Sequence, residues 1–353
     1  MMDPESRRFL DTLLVTPGPS GYEQQVQDQV RSWAGPLADE VHTDVHGNVI
    51  AVRNAEGRPR ILLDGHCDQI GLMVQHVEKG GFLYVQAIGG WDPPILLGQE
   101  VVVWSDSGPL PGVIGRKPKH LLTEEEGKKM PRVTDLWVDI GAASEEEVQE
   151  LVRIGDPVTV RLGARELPNR RLAGPKLDNT SGLYVVFEAL RRLKECEFAP
   201  ALYVVSAVQE EIGLRGAQTA AFGIDPDVGI AVDVTHATDC PTIDRREHGD
   251  VDLGGGPVLF RGANVNPVLH AQLIDLADRE EVPLQHKGAP RGTPNDTNTL
   301  QLTRAGVATA AIGIPNRYMH TPVEMVSLDD LDSAADLLAA FVRETTPDAD
   351  YTP

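Results

Sequence analysis

The sequence contains little cysteine and few aromatic residues. Only three cysteines occur among its 353 residues, Cys67, Cys196 and Cys240, and aromatic residues make up 5%. The cysteines show no paired spacing, which disfavours a disulfide framework or a thiolate zinc site and favours a reducing compartment. Gly (34 residues) and Pro (26 residues) are plentiful instead, as expected of a chain with many turns between short strands.

Positive charge is also scarce, because 32 Lys and Arg face 53 Asp and Glu, and the formal net charge is -21. Such a surface repels nucleic acid and anionic membranes, so we expect neither as a partner. No apolar run approaches the length of a membrane span, and no basic segment followed by an apolar one opens the sequence. These absences predict a soluble, cytoplasmic protein.

The apolar pattern predicts an α/β protein. Amphipathic helices alternate with near-continuous apolar runs over residues 1–71 and 163–353, and such runs are typical of strands covered on both faces. Between them, residues 72–162 hold short alternating segments punctuated by Gly and Pro, as in a small β-barrel or sandwich. We therefore predict a discontinuous α/β domain with a mixed sheet, 1–71 and 163–353, interrupted by an inserted β-barrel domain, 72–162. The polar stretch 117–132 is expected to be an exposed loop.

Imidazole and carboxylate groups recur where the predicted strands end. They are His66 and Asp68 after the first buried strand, Glu210 and Glu211 after the second, Asp233 after the third and His320 beyond the fourth, with Asp178 just before a helix. In open α/β sheets, ligands bind beyond the carboxyl ends of the strands. Two His and three carboxylates suit hydrolytic zinc, cobalt or manganese, and a two-metal site needs one bridging group and two further ligands for each ion. A sixth carboxylate is then free for proton transfer.

Each of these residues also has a structural interpretation. His66 could be a satisfied core histidine, Asp178 a helix N-cap and His320 a surface loop residue, while Glu210 and Glu211 could form a solvated turn. His236, close to Asp233, is a rival ligand. Only their joint placement at strand ends favours a metal site.

Several stretches together resemble the M42 family of metallo-aminopeptidases, which includes glutamyl and leucyl aminopeptidases and tetrahedral, TET-type particles. They are DGHCDQIG at 64–71, VIGRKPKHLL at 113–122, DIG at 139–141, VQEEIGLRGA at 208–217, DVT at 233–235 and IPNRYMHTPVE at 314–324. The match covers nearly the whole chain in the family's order. The insert falls between His66 and Asp178, whereas related di-metal carboxypeptidases and deacylases carry theirs after the Glu-Glu pair.

The resemblance implies a ligand set for two divalent ions, Zn²⁺ or Co²⁺. One ion would be held by His66 and Asp233, the other by Glu211 and His320, with Asp178 bridging them. Glu210 would be the general base, taking a proton from the bridging water and passing it to the leaving amine, and Asp68 would orient His66. The insert would be a PDZ-like domain used in self-association, from dimer to dodecamer.

The function expected from this resemblance is removal of N-terminal residues from peptides. A metal-dependent deacylase or an endoglucanase-labelled M42 relative is the alternative within hydrolases, and a metal-stabilised, self-assembling binding protein is the alternative from another class. The sequence departs from the family pattern in two places. Asn179 follows Asp178 where a second Asp is common, and Asn295-Asp296-Thr297 replaces the usual Thr-Asp-Ala.

Overall fold

An eight-stranded mixed sheet forms the centre of the computed structural model, which describes residues 2–353. From one edge to the other its strands are β1 (Glu40–Thr43), β2 (Val49–Arg53), β12 (Ala201–Ala207), β3 (Arg60–His66), β13 (Val228–His236), β16 (Ala308–Asn316), β14 (Val258–Gly262) and β15 (Gln285–Ala289). The four central strands are buried along almost their whole length, as their continuous apolar sequences predict.

Helices cover both faces of this sheet. They are α1 (Pro4–Val15), α2 (Gln24–Ala34), α5 (Leu177–Arg192), α6 (Arg215–Ile224), α8 (Pro267–Arg279), α9 (Thr297–Leu300) and α10 (Leu328–Glu344), whereas α3 (Glu124–Gly127), α4 (Glu145–Leu151) and α7 (Arg245–His248) lie outside this layer. The central helix α5 is buried from Leu177 to Leu190 and packs with α1 and α10 on one face. Among residues 2–353, no helix combines the length and the apolar character that crossing a membrane requires.

The order of the central strands determines where their ends meet. Strands β12, β3, β13 and β16 are adjacent and mutually parallel, with Ala207 paired to His66 and Asp233 to Gly313. Their carboxyl ends therefore lie at one edge of the sheet. Gly65 allows α5 to approach this edge, since a Cβ there would lie 2.8 Å from the backbone of Gly182.

A closed six-stranded antiparallel barrel stands beside the sheet. Its strands are β4 (Gly71–Val77), β5 (Leu83–Ile88), β8 (Trp137–Asp139), β7 (Gly108–Gly115), β6 (Glu100–Ser105) and β9 (Pro157–Val160). It has its own apolar core, separate from that of the large sheet. The fold class predicted from the sequence, α/β with a small inserted barrel, is therefore confirmed.

A third, three-stranded sheet is formed by β10 (Arg165–Leu167), β11 (Arg171–Gly174) and β17 (Glu324–Ser327). The segment before α5 thereby pairs with the segment that follows His320, with Gly174 opposite Glu324. Two residues that are 150 positions apart in sequence are thus held on neighbouring strands. This pairing brings the start of α5 close to the loop that carries His320.

Two local expectations differ from the structure. Strand β13 runs on to His236, so Asp233 lies within it and not at its end, because the ladder with β16 continues from Val234 to His236. The exposed stretch 117–132 includes the helical turn Glu124–Gly127, which a capping box between Thr123 and Glu126 stabilises.

Candidate metal centre

The side chains of His66, Asp178 and Asp233 converge at the carboxyl edge of the central sheet. His66 ends β3, Asp233 lies in β13, and Asp178 is at the beginning of α5, where the backbone is not yet helical. The Nε2 atom of His66 lies 3.4 Å from Asp178 Oδ1 and 3.6 Å from Asp233 Oδ1. One ligand atom from each of the three lies within 4.8 Å of the others, and all three residues are buried.

A second group shares Asp178 with the first. His320 Nε2 lies 3.2 Å from Asp178 Oδ2 and 3.4 Å from Glu211 Oε2, so Asp178, Glu211 and His320 again offer ligand atoms within 4.8 Å of one another. The two oxygens of Asp178 therefore face different groups, Oδ1 towards His66 and Oδ2 towards His320. This is the geometry that a carboxylate bridging two cations requires.

Glu324 holds the two elements of this second group together. Its Oε2 accepts a hydrogen bond from the backbone N–H of Asp178 at 2.9 Å, and its Oε1 accepts one from the backbone N–H of His320 at 2.8 Å. The carboxylate is buried. His320 has a left-handed backbone with φ 59°, a conformation that is uncommon outside glycine and needs such support. Sequence reasoning gave Glu324 no role, since its partners are backbone groups with no sequence signal.

Asp68 lies beside His66 and beneath the turn that carries Glu210 and Glu211. Its Oδ1 accepts the backbone N–H of Glu210 at 3.0 Å, and its Oδ2 accepts that of Glu211 at 3.2 Å and the hydroxyl of Ser20 at 2.6 Å. The Nδ1 atom of His66 lies 3.4 Å from Asp68 Oδ1 and 3.2 Å from its carbonyl oxygen. Asp68 therefore contacts both an imidazole of the first group and the Glu-Glu turn.

Glu23 continues this support of the turn from α2. Its Oε1 accepts the backbone N–H of Gln209 at 3.2 Å and that of Gly21 at 2.7 Å. Gln209 has φ 57°, so the chain bends sharply before Glu210. Three successive N–H groups, of residues 209 to 211, are thus all held by buried carboxylates. Glu23 is a second residue that sequence reasoning missed.

Glu210 belongs to neither of the two ligand groups. Its side chain is buried, and Oε2 lies 3.7 Å from His66 Nε2. It lines the cavity above the cluster. The adjacent acids Glu210 and Glu211 therefore differ in surroundings, although residues 211–213 form a turn and not the extended segment expected after the strand.

Electrostatics within the cluster favour a cation. Burial raises the pKa of Glu210 and of Glu211 well above the usual range, and negative charges nearby raise both further, Asp233 at Glu210 and Asp178 at Glu211. Burial also acts to raise the pKa of Asp178, but the adjacent imidazoles of His320 and His66 outweigh it and hold this pKa below its ordinary value. Burial opposes a charge on His66, yet Glu210 and the surrounding carboxylates raise its pKa.

Two buried polar atoms in this cluster, His66 Nε2 and Glu211 Oε1, have no hydrogen-bond partner in the part of the chain that the structure describes. Buried polar groups almost always have partners. A buried imidazole nitrogen and a buried carboxylate oxygen without hydrogen-bond partners can both coordinate a cation. They belong to a donor set of two His and three carboxylates, which fits divalent metal ions.

The rival ligand His236 and several other residues of these stretches lie outside both groups. His236 lines the same cavity but supplies no atom to either group. Arg317 pairs with Asp239 through contacts of 2.7 and 2.5 Å. Cys67 is buried in the apolar core. At the position where the sequence departs from the usual Thr-Asp-Ala, Asp296 is buried, and burial and the negative charge of Asp64 raise its pKa well above the usual range.

A cavity of about 550 Å³ opens above the cluster. Asp178, Glu210, Glu211, Asp233 and His320 line one end, while Phe260, Lys287 and the loop 288–295 line the other. The cluster is therefore accessible to a ligand, as catalytic metal sites are and closed structural sites are not.

The α/β fold, with two ligand groups below an open cavity, is that of a metal-dependent hydrolase. Comparison with known proteins identifies the family. The model of the M42 glutamyl aminopeptidase family matches residues 47–337, so the chain belongs to the M42 family and is an aminopeptidase. The resemblance noted in the sequence is thereby confirmed, as is the predicted function.

Individual relatives match along nearly their full length. Lysyl aminopeptidase of Pyrococcus furiosus is 41% identical over 351 residues, which cover 98% of this chain and 99% of the relative. The crystal structure of a TET aminopeptidase from a marine sediment archaeon, Thaumarchaeota archaeon SCGC AB-539-E09, has a TM-score of 0.92 and 36% identity, covering 96% of each chain. The TET1 peptidase of Pyrococcus horikoshii, which can assemble into a tetrahedron or a large octahedral shell, has a TM-score of 0.86 and 30% identity, covering 96% of this chain and all of the other.

Proposed function

We propose that this aminopeptidase cleaves the N-terminal residue from peptides at a centre of two divalent cations. His66 and Asp233 would hold one cation, Glu211 and His320 would hold the other, and Asp178, which belongs to both ligand groups, would contribute to both. The observation that carries this proposal is the opposed orientation of the two Asp178 oxygens, at 3.4 Å from His66 Nε2 and 3.2 Å from His320 Nε2. When bound, the cations supply Lewis acidity, polarising the scissile carbonyl and lowering the pKa of the attacking water.

Glu210 acts as the general base. Its carboxylate lines the cavity and belongs to neither ligand group, so it is free to accept a proton from the attacking water and to deliver it to the leaving amine. The raised pKa that burial produces supports this role, because a base must also release its proton within the same cycle.

Asp68 orients the site without touching the reacting atoms. Its contact with Nδ1 of His66 leaves Nε2 facing the other ligands, which is the usual arrangement of a carboxylate behind a ligating histidine. Its hydrogen bonds to the backbone of Glu210 and Glu211 determine how the turn presents one acid to the cation and the other to the cavity.

Zinc or cobalt is the proposed native metal, since imidazole and carboxylate donors suit both. The lysyl preference in the name of the Pyrococcus furiosus relative is not proposed for this chain, because the ammonium of Lys287 lines the cavity and would repel a lysyl side chain. The assembly named for TET1 supports self-association of this chain, with residues 72–162 as the inserted assembly domain on the catalytic part, 1–71 and 163–353. We propose a cytoplasmic location, as the composition suggests.

The experiment is a panel of aminoacyl-p-nitroanilides offered to chelator-stripped protein with zinc, cobalt or manganese added back. We expect turnover only after a metal is restored, and only for substrates with a free amine. N-acetylated versions of the same substrates are the control. Undiminished turnover by the stripped protein, or equal cleavage of the acetylated substrates, would refute the proposal.

A further inference from the structure

The imidazole of His320 is in contact with the inserted barrel as well as with the ligand cluster. Its Nε2 atom faces Asp178 and Glu211, so Nδ1 points away from these two carboxylates. There it meets Gly90, in the loop 89–91 that follows β5. A Cβ added at Gly90 would lie 3.4 Å from Nδ1 and 3.7 Å from Cε1 of His320. A residue of the barrel therefore lies against the Nδ1 edge of this ring.

The backbone carbonyl of Gly90 is the hydrogen-bond acceptor at this edge. Asp178 raises the pKa of His320, and a hydrogen bond to the backbone of Gly90 raises it further, while burial acts in the opposite direction. A backbone group that favours the protonated ring must accept a hydrogen bond from it, which a carbonyl can do and an N–H cannot. Because Nε2 faces carboxylates, the donor to Gly90 is the N–H at Nδ1.

The loop 89–91 needs glycine to approach the cluster. Gly89 has φ 73°, and a Cβ there would lie 2.6 Å from Ile70 Cγ2 and 3.5 Å from the Cβ of Glu211. At Gly90 the approach concerns one residue alone. Within residues 2–353, and apart from its chain neighbours, only His320 lies within 4 Å of a Cβ added at Gly90.

The loop is anchored where the chain passes from the large sheet into the barrel. The indole Nε1 of Trp91 donates a hydrogen bond to the carbonyl of Gly71 at 2.9 Å, and Gly71 is the first residue of β4. The side chain of Trp91 also packs against the apolar core of the barrel. Gly90 is therefore held beside His320 by contacts at the base of the barrel.

We propose that Gly90 is a positioning residue of the metal centre, whose carbonyl orients the imidazole of His320 so that Nε2 faces the second cation. The proposal rests on the proposed function, since it takes His320 to be a ligand. A ligating histidine almost always donates its other N–H to a carboxylate, a carbonyl or water, which fixes the tautomer and the ring. Asp68 has this place behind His66. Behind His320 it is taken by the barrel, which is thereby part of the centre.

The test is a zinc titration of chelator-stripped protein with graded changes at Gly90. We expect Gly90→Val to weaken the binding of one of the two ions about 10- to 100-fold, the usual effect of disturbing the partner of a ligating histidine. Gly90→Ala should have a smaller effect, because its single methyl group only touches the ring. Gly127→Val is the matched control in the same barrel, since a Cβ at Gly127 meets nothing within 4 Å. Neither glycine has a left-handed backbone.

A double variant assigns the weakened ion to His320. Added to His320→Ala, which already lacks this ligand, Gly90→Val should leave the affinity for the remaining ion unchanged, because two changes at one contact are not additive. Trp91→Phe keeps the ring in the barrel core but removes the N–H that anchors the loop. It should weaken the same ion without adding bulk beside His320.

Thermal unfolding of the stripped protein distinguishes positioning from a merely structural role. Gly90→Val and Trp91→Phe should melt at the wild-type temperature when no metal is present. Wild-type affinity for both ions in Gly90→Val, or in Trp91→Phe should Gly90→Val not fold, would overturn the proposal. Equal weakening of both ions together with a lower melting temperature of the stripped variants would also overturn it. If the wild-type protein itself binds fewer than two zinc ions, the proposed two-cation centre fails instead.

Discussion

The carboxylate of Asp68 accepts a hydrogen bond from the backbone N–H of Glu210 at 3.0 Å. Its other oxygen accepts the N–H of Glu211, so one side chain holds both acids of the pair. An amide cannot do this, because its NH₂ group would face one of the two N–H donors. The orientation of Glu210, the proposed base, is therefore a property of Asp68 as much as of Glu210 itself.

Asp68→Asn is accordingly expected to lower kcat about 10- to 100-fold, the range usual for partners of metal-ligating histidines. The loss should fall on kcat more than on KM, because the cavity wall that contacts the substrate is unchanged. Steady-state kinetics with leucyl-p-nitroanilide measure it. An Asp68→Asn enzyme with the kcat of the wild type would contradict the role assigned to this carboxylate.

Glu210→Gln should remove the base and leave both cations bound. We expect kcat to fall by a factor of about 10² to 10⁴, the usual contribution of a general base. Metal content by elemental analysis should remain that of the wild type, whereas Glu211→Gln, the matched change at the neighbouring acid, should lower it. Loss of metal in both variants alike would show that Glu210 is itself a ligand.

The surroundings of Glu23 predict a pH dependence of stability, because burial raises the pKa of this carboxyl to about 7 from its ordinary value of 4.5. An acid whose pKa is raised on folding stabilises the protein fully below the unfolded pKa and loses this contribution as pH rises through the folded value. The loss between pH 4.5 and 7 is on the order of 3 kcal/mol at most. Glu23→Gln, whose amide oxygen can accept the same two N–H groups, should remove this part of the pH dependence in urea unfolding. An unchanged pH profile in that variant would contradict the assignment.

Glu324 is expected to matter for both stability and metal binding. In Glu324→Gln, the amide NH₂ would meet the backbone N–H of either Asp178 or His320, leaving a buried donor unsatisfied at a cost of about 1–3 kcal/mol. Thermal unfolding of the apo protein and zinc titration measure the two effects. Glu150→Gln, at an exposed position of α4, is the control. Equal melting temperatures and zinc affinities for both variants would show that Glu324 does not hold the cluster.

The convergence of the proposed ligands could be predicted because it follows from strand order. His66 and Asp233 lie near the carboxyl ends of neighbouring parallel strands, which meet at one edge in any sheet of this type. The extent of β13 beyond Asp233 could not be predicted, since its last residues are strand only through pairing with β16. The roles of Glu23 and Glu324 were equally hidden. Each acts on backbone N–H groups far away in sequence, and neither periodicity nor residue type reveals such a contact.

Lys287 shows a different limit of sequence reasoning. Its strand β15 is short and partly exposed, so its pattern gives no sign that the side chain points into a cavity. The cavity itself is formed by segments that only the sheet brings together, β13, β14 and the loop 288–295. A pocket of this kind is a tertiary property, and its charge can be inferred only from the structure.

The most direct test of the account is the metal content of Asp178→Ala, measured by elemental analysis against the wild type. Sharing of Asp178 by two cations predicts two ions per chain in the wild type and close to none in the variant, whereas His320→Ala should lose one ion preferentially. Two ions bound by Asp178→Ala, or a single ion in the wild type at saturating metal, would contradict the two-cation centre.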